Sequence, residues 1–284
     1  MTVNDFFKQI AARLQQILGS PGEGESAARI LFEDLAGYDR KYLFINGQRT
    51  IEDFMKDKIL KAVDLVANGM PVQYAAGQGL FMGMNFILTP DVLIPRFETE
   101  GLVDRIIDDS RGRADLDILD IGTGSGCIAI SLASALPFAH VSGVDISVAA
   151  LAIARQNASK LKVKVDFSEM DILSAAIPSV PGYDIIVSNP PYVLDSEKKD
   201  MDSRVYDYEP PTALFVPDSD PLKFYRAISL YARKGLRKGG RLYFEINSLF
   251  WKEMYELLDK TGFVDIQILR DYKGNYRYAI ARND

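Results

Sequence analysis

Leu116-Asp117-Ile118-Leu119-Asp120-Ile121-Gly122-Thr123-Gly124-Ser125-Gly126-Cys127 reads as a buried strand, a glycine turn and the opening of a helix. Glycines at such a junction let the backbone turn tightly and approach a ligand closely, in the crevice beyond the carboxyl ends of parallel strands. Downstream, strands and helices alternate. A helix is predicted over 128–136, a strand over Val141–Asp145, a helix over 147–160, and strands over Val163–Phe167 and Asp184–Ser188. There follow a helix near 222–236, a strand over 241–246, a helix over 250–258, and two closing strands, 264–269 and 276–281, joined by Lys273-Gly274-Asn275. Alternation of this kind predicts an α/β fold with a mainly parallel sheet and helices on both faces. The closing hairpin adds an antiparallel C-terminal edge.

Upstream the periodicity changes. Phe6, Phe7, Ile10, Leu14, Ile17 and Leu18 recur at helical spacing before Gly19-Ser20-Pro21-Gly22. Further helices are predicted over about 25–35 and 51–67. Leu80-Phe81-Met82 and Asn85-Phe86-Ile87-Leu88 flank Gly83 as a β-hairpin. The expected organisation is a small helical N-terminal domain (1–74), a β-hairpin linker (75–100) and the α/β domain (101–284).

The chain has 284 residues, 48% of them hydrophobic and 25% charged, with a formal charge of −6. That acidic balance argues against broad nucleic-acid binding, which needs many phosphate-neutralising Lys and Arg, so no direct DNA binding is expected. A single cysteine, Cys127, and a single histidine, His140, leave no Cys/His metal site, and no metal is expected. The N-terminus lacks a basic segment followed by an apolar core, and the most apolar stretch, 127–139, is too short to span a bilayer. The reading is of a cytoplasmic protein with no membrane association.

The glycine turn is a candidate cofactor site. A dinucleotide fingerprint G-x-G-x-x-G would need glycine at 127, where Cys127 stands; the glycines fall at 122, 124 and 126. No Lys-Ser/Thr pair follows them, so phosphate cradling has little support. Asp145 ends the second strand, where a carboxylate can accept both ribose hydroxyls of an adenosine. An adenosine without phosphates fits S-adenosyl-L-methionine. Its expected contacts are Gly122, Thr123, Gly124, Ser125, Gly126 and Asp145, with Asp171 and Ile172 meeting the adenine.

Asn189-Pro190-Pro191-Tyr192 closes the strand 184–188. Two prolines fix φ and remove two backbone donors, and Asn189 is pushed to extended geometry. Taken alone, the four residues also suit an ordinary proline-rich strand exit. Beside a cofactor loop they read as a rigid acceptor site for a planar –NH2 group. Adenine, cytosine and glutamine all satisfy that description.

In order along the chain, Pro71-Val72-Gln73-Tyr74 with Gly77, Phe81 and Gly83, then Val92 to Glu100, Asp120 to Gly126, Asp145 with Ser147, and Asn189 to Tyr192 form a set. Tyr208-Glu209-Pro210 with Ala213-Leu214, Glu245-Ile246, and Asp271 with Gly274 and Arg277 complete it. The ordered set resembles the peptide chain release factor glutamine methyltransferases, the HemK/PrmC family of class I S-adenosylmethionine-dependent enzymes. Phe97 stands where that family usually has proline, and Phe215-Val216-Pro217 replaces its usual glycines.

The resemblance implies a Rossmann-like methyltransferase domain over 101–284 and methyl transfer to the side-chain amide N5 of the glutamine in a Gly-Gly-Gln loop. Class 1 release factors are the implied partner, bound in part by the N-terminal domain. It also implies that Asn189 and Pro190 accept the amide N–H groups, Asn189 contacting both substrate and cofactor, with Pro191 shaping the turn and Tyr192 packing its ring beside the glutamine amide. Two other readings share parts of the pattern. An adenine-N6 DNA methyltransferase would also present Asn-Pro-Pro-Tyr to a conjugated –NH2, and a non-catalytic S-adenosylmethionine-binding module would need only the glycine loop. The polar loop after Asn-Pro-Pro-Tyr is expected to be a lid or partner surface, with Glu197-Lys198-Lys199-Asp200 solvated and disordered. Arg233, Lys234, Arg237 and Lys238 are expected as a solvated helix end.

Overall fold

The computed structural model describes residues 1–284, the side chain of Pro21 excepted. It divides into two compact units: Met1–Gly79 with Leu88–Pro90 and Asp202–Tyr208, and Leu80–Ile87 with Asp91–Met201 and Glu209–Asp284.

The first unit is helical: α1 (Val3–Leu18), α2 (Pro21–Ala36), α3 (Arg40–Asn46), α4 (Asp53–Ala67) and α5 (Val72–Ala76). The Thr2 hydroxyl accepts the Asp5 N–H to start α1, and Gly19 ends it in the left-handed region. Val3, Phe6, Ile10 and Leu14 form its buried stripe, packed in one core with Leu31 and Phe32 of α2 and Ile59 and Val63 of α4. Where the sequence predicts α2 from about residue 25, the helix begins a turn earlier. A side chain at Gly24 would put its Cβ 2.6 Å from Gln15 Cα. Close packing on α1 therefore selects glycine there and outweighs its poor helix propensity. The short helices α3 and α5 are absent from the sequence reading because one or two turns carry too little periodicity to register.

In the second unit, β1 (Gln78–Phe81, shared at its start with the first unit) and β2 (Met84–Ile87) form the expected hairpin about Met82-Gly83. Then come α6 (Phe97–Asp109), β3 (Asp117–Ile121), α7 (Cys127–Ala135), β4 (His140–Asp145), α8 (Val148–Leu161), β5 (Asp166–Glu169) and β6 (Tyr183–Ser188). The C-terminal part adds β7 (Val193–Leu194), α9 (Ser203–Tyr206, which lies in the first unit), α10 (Pro211–Leu214), β8 (Phe215–Val216) and α11 (Lys223–Gly235). It closes with β9 (Leu236–Glu245), α12 (Trp251–Thr261), β10 (Val264–Arg270) and β11 (Tyr276–Arg282). The seven-stranded sheet runs β10-β11-β9-β6-β3-β4-β5. Strands β5, β4, β3, β6 and β9 are mutually parallel, and β11 is antiparallel to both neighbours. Chain order reverses between β3 and β6, the crevice where such sheets bind ligands.

Two expectations need correction. Glu197-Lys198-Lys199-Asp200 are not a disordered connection but join Asp195 and Ser196 in ordered structure. They form a 3-10 helix in which the Glu197 carboxylate accepts the Leu194 N–H at 2.7 Å. Within the first unit, Arg204 pairs with Glu23 at 2.5 Å and the Tyr208 hydroxyl donates to the Asn68 carbonyl at 2.7 Å. Nor is Arg237 part of a solvated helix end. It lies on β9 and pairs with Asp117 and Asp184 at the amino ends of neighbouring strands, while Arg233 donates to the Asn283 side chain.

Asn157 of α8 is fully buried. Its Oδ1 accepts the Ile87 N–H at 2.6 Å, and its Nδ2 donates to the Ile87 and Ser125 carbonyls at 3.1 and 2.9 Å. One side chain thus fastens the hairpin to the glycine turn. Asn157→Ala leaves those backbone groups without these partners and should cost about 3 kcal/mol, read as a lower midpoint in urea unfolding.

Candidate active site

Strand register assembles the site. Ile121 of β3 pairs with Val144 of β4 and with Ser188 of β6, and Ser188 pairs with Phe244 of β9. The next residue on each strand is therefore Gly122, Asp145, Asn189 or Glu245, and these four form a row along the carboxyl edge. The Ser188 hydroxyl donates to the Ile121 carbonyl at 2.6 Å and locks β6 to β3.

The turn after β3 is held by its neighbours. Gly122 and Thr123 donate backbone N–H to the Val144 carbonyl at 2.8 and 2.9 Å. Gly124 N–H donates to Asp145 Oδ2 at 2.9 Å, and Ser147 N–H to Asp145 Oδ1 at the same distance. Gly126 has φ +81°, and a Cβ there would lie 3.0 Å from Ile130 Cδ1 and 3.2 Å from Ala154 Cβ. Both conformation and packing require glycine. Ser125 is buried, and its carbonyl accepts from Asn157. Below the turn, the Thr123 hydroxyl donates to Asp120 Oδ2 at 2.6 Å. Burial pushes the Asp120 carboxyl up to about 7, against the Thr123 bond, and pushes the Cys127 thiol up to about 12, which makes it a poor nucleophile at neutral pH. Burial also raises the Asp145 carboxyl, opposed by the N–H groups of Ser147 and Gly124.

A cavity of about 360 Å³ opens over this edge. Gly122, Gly124, Asp145, Asp171, Ile172, Asn189, Pro190 and Pro191 all line it, so most of the residues singled out in the sequence converge. Both Asp171 oxygens also serve their own turn, accepting from Leu173 N–H and the Ser174 hydroxyl at 2.9 Å. Thr123, Ser125 and Gly126 do not line the cavity; they shape the turn that does. Leu93, Phe215, Phe224 and Ile228 supply apolar wall that the sequence reading did not mark. Helical periodicity identifies Ile228 as core but cannot say that α11 passes over the edge. The mixture fits S-adenosylmethionine: a carboxylate for ribose hydroxyls, exposed glycine backbone and apolar wall for a purine. A second cavity, about 230 Å³ between Ser110 and Phe138, lies at the opposite, amino end of β3 and β4.

Tyr192 is placed differently from Asn189. It does not line the cavity; its ring packs against the core of the sheet and its hydroxyl donates to Glu245 Oε1 at 3.0 Å. Glu245 Oε2 accepts the Thr99 hydroxyl at 2.6 Å, and Thr99 Oγ1 accepts from Asn189 Nδ2 at 3.3 Å. Arg96 pairs at 2.6 Å with Glu209, which is 2% exposed and also accepts the Ile94 N–H. That pair fixes the segment leading to Pro210 and Ala213 in the cavity wall.

Comparison with known proteins fits this geometry. Residues 5–77 match the PrmC N-terminal domain family, and residues 99–205 match the methyltransferase small domain family. The chain is 41% identical over 276 residues to a release factor glutamine methyltransferase of Bacteroides thetaiotaomicron, covering 96% of this chain and 99% of that protein. It is 48% identical over 210 residues to one of Flavobacterium psychrophilum, covering 73% of each. Among solved structures, a methyltransferase of Pyrococcus furiosus superposes with a TM-score of 0.51 at 16% identity, covering 81% of this chain and 98% of that one. That likeness is one of fold.

Asp120 generates a pH signature. With its carboxyl at about 7 when folded and near 3.8 as an ordinary aspartate, the folded state holds a proton that the unfolded chain has released. This group's contribution to stability therefore falls as pH rises from about 4 through 7. Asp120→Asn keeps an acceptor for Thr123. It should match the wild type near pH 4 and exceed it above pH 7 by at most on the order of 4 kcal/mol, measured by denaturant unfolding across that range.

Proposed function

The chain belongs to the release factor glutamine methyltransferases, and from that premise we propose that it methylates the side-chain amide N5 of the glutamine in a release factor's Gly-Gly-Gln loop. The observation that carries the reading is the meeting of Asp145, the Gly122–Gly124 backbone and Asn189-Pro190-Pro191 in one cavity. The methyl donor is S-adenosyl-L-methionine, which supplies a methyl group on an electrophilic sulfonium.

Asp145 accepts the ribose hydroxyls, with its orientation already set by Gly124 and Ser147 N–H. Asp171 and Ile172 border the adenine. Asn189 Oδ1 and the Pro190 carbonyl each accept one N–H of the glutamine amide. An amide nitrogen is a poor nucleophile because its lone pair is delocalised into the carbonyl. Two fixed acceptors aim that nitrogen and favour the positive charge developing on it. As the N–C bond forms, the donor's S–C bond would break to leave a neutral thioether, and the nitrogen, now acidic, would release one proton late to solvent, so a strong base is not required. Pro191 stiffens the turn, and Tyr192 anchors it through Glu245. The helical first unit contributes to holding the release factor, and the cytoplasm is where that partner is met. Among the described residues no helix is long and apolar enough to cross a membrane.

The deciding experiment offers methyl-labelled cofactor with a release factor, its Gly-Gly-Gln→Ala variant, and duplex DNA. Label on the glutamine alone is expected; label on DNA, or on the alanine variant, would overturn the reading. Asn189→Ala should lower turnover on the order of 10²–10³-fold with cofactor affinity nearly unchanged. Asp145→Ala should weaken cofactor binding about 10- to 100-fold, the loss of charge-assisted hydrogen bonds, read by calorimetry.

A further inference from the structure

Asn189 can serve as an acceptor only if its amide points the right way round. The two ends of a carboxamide are nearly isosteric, and a 180° turn of the amide would offer the substrate an –NH2 in place of an oxygen. Nothing within Asn-Pro-Pro-Tyr decides between the two. The decision lies one layer behind, in residues from two other elements.

Glu245 is 1% exposed at the end of β9, next to Asn189 in the edge row. Each of its oxygens meets a hydroxyl: Tyr192 at 3.0 Å and Thr99 at 2.6 Å. Both hydroxyls donate to Glu245, and in its carboxylate form, which those two bonds and Arg277 favour against burial, it can only accept. A threonine hydroxyl has one proton. With that proton committed to Glu245, Thr99 Oγ1 has only lone pairs to offer Asn189, and Asn189 must turn its Nδ2 toward it, as found at 3.3 Å. Oδ1 is then left on the other side of the amide. The chain of donors runs one way, from Asn189 to Thr99 to Glu245. Reversing any link would place two donors, or two acceptors, face to face.

The surroundings of Glu245 suit this role. Burial raises its carboxyl, while the Thr99 and Tyr192 bonds and the positive charge of Arg277 act in the opposite sense. Arg277 precedes Tyr278, the residue of β11 paired with Glu245, and is held by Asp271 at 3.3 Å. Tyr225 from α11 donates to the Glu245 backbone carbonyl at 3.0 Å and fixes the strand end. Thr99 is 2% exposed in the first turn of α6. Neither Thr99 nor Glu245 lines the cavity, so neither touches substrate or cofactor there.

We propose that Glu245 and Thr99 are positioning residues that set, by a one-way hydrogen-bond chain, which end of the Asn189 amide faces the substrate. The inference rests on the acceptor role given to Asn189 above.

The test is a double-mutant cycle on the full-length protein with a release factor as substrate. Thr99→Val removes the hydroxyl at nearly constant volume and should lower kcat about tenfold, the worth of one oriented hydrogen bond. Cofactor Kd by calorimetry should stay within about twofold, and Thr99→Ser, which restores the hydroxyl, should recover most of kcat. Glu245→Gln, whose own amide admits both directions of the chain, should also lower kcat and serves in place of Thr99→Val if that variant does not fold. In an Asn189→Ala background neither change should cost anything further, because there is no amide left to orient. A purely structural role would instead give losses that add, and additive losses would overturn the proposal. So would wild-type kcat in Thr99→Val or Glu245→Gln. Wild-type kcat in Asn189→Ala would refute the acceptor reading itself, a separate outcome.

Discussion

The parallel pairing of β3 with β4 on one side and β6 on the other is the constraint on which the site depends. The Ile121–Val144 and Ile121–Ser188 pairs bring three strand ends level, and the Ser188–Phe244 pair extends the row to β9. Since residues on a strand alternate faces, a slip of one position would turn the affected side chains to the opposite face. The buried stretches Ile118–Ile121 and Ile185–Ser188 resist any such slip. Cofactor carboxylate, glycine turn and acceptor amide are thus positioned by the core of the sheet rather than by the loops that carry them.

Behind that edge lie buried acids that do not reach the cavity. Asp120 supports the turn through Thr123, Glu245 collects Thr99 and Tyr192, and Glu209 joins Arg96 to the Ile94 backbone. Each is desolvated, which is unfavourable for a charge; Glu245 and Glu209 each meet two donors that oppose the cost, whereas Asp120 meets the Thr123 hydroxyl with one oxygen and holds its proton up to about 7. Such arrangements hold their partners to one geometry because the alternative leaves a buried carboxylate unmatched. A site whose chemistry consists of aiming a weak nucleophile benefits from that stiffness.

Much of this was legible in the linear sequence. The alternation from residue 116 onward gives the order of strands and helices, and most elements lie within a few residues of expectation. Strand β5 is displaced, at Asp166–Glu169 rather than 163–167, because a short mixed stretch of Val, Lys, Asp and Phe has no sharp period. Glu197-Lys198-Lys199-Asp200 looked disordered because their charges suit a solvated loop; the Glu197 cap on Leu194 is a local bond that composition does not reveal. Helix α2 starts early because of contact with α1.

The residue types at the cavity, Gly122, Asp145 and Asn189-Pro190-Pro191, were fixed by the sequence itself, since glycine torsions, a strand-end carboxylate and proline's missing N–H are local properties. Their meeting follows from strand order, which only the folded chain determines. Tyr192 shows the difference most clearly. Its place in Asn-Pro-Pro-Tyr suggested a ring beside the substrate, and the fold adds that its hydroxyl donates to Glu245, 53 positions along the chain. Thr99 lies 146 positions from the same carboxylate. Hydrogen-bond direction at Asn189 is decided by those partners, and proton inventories between groups so far apart in sequence exist only after the sheet has formed.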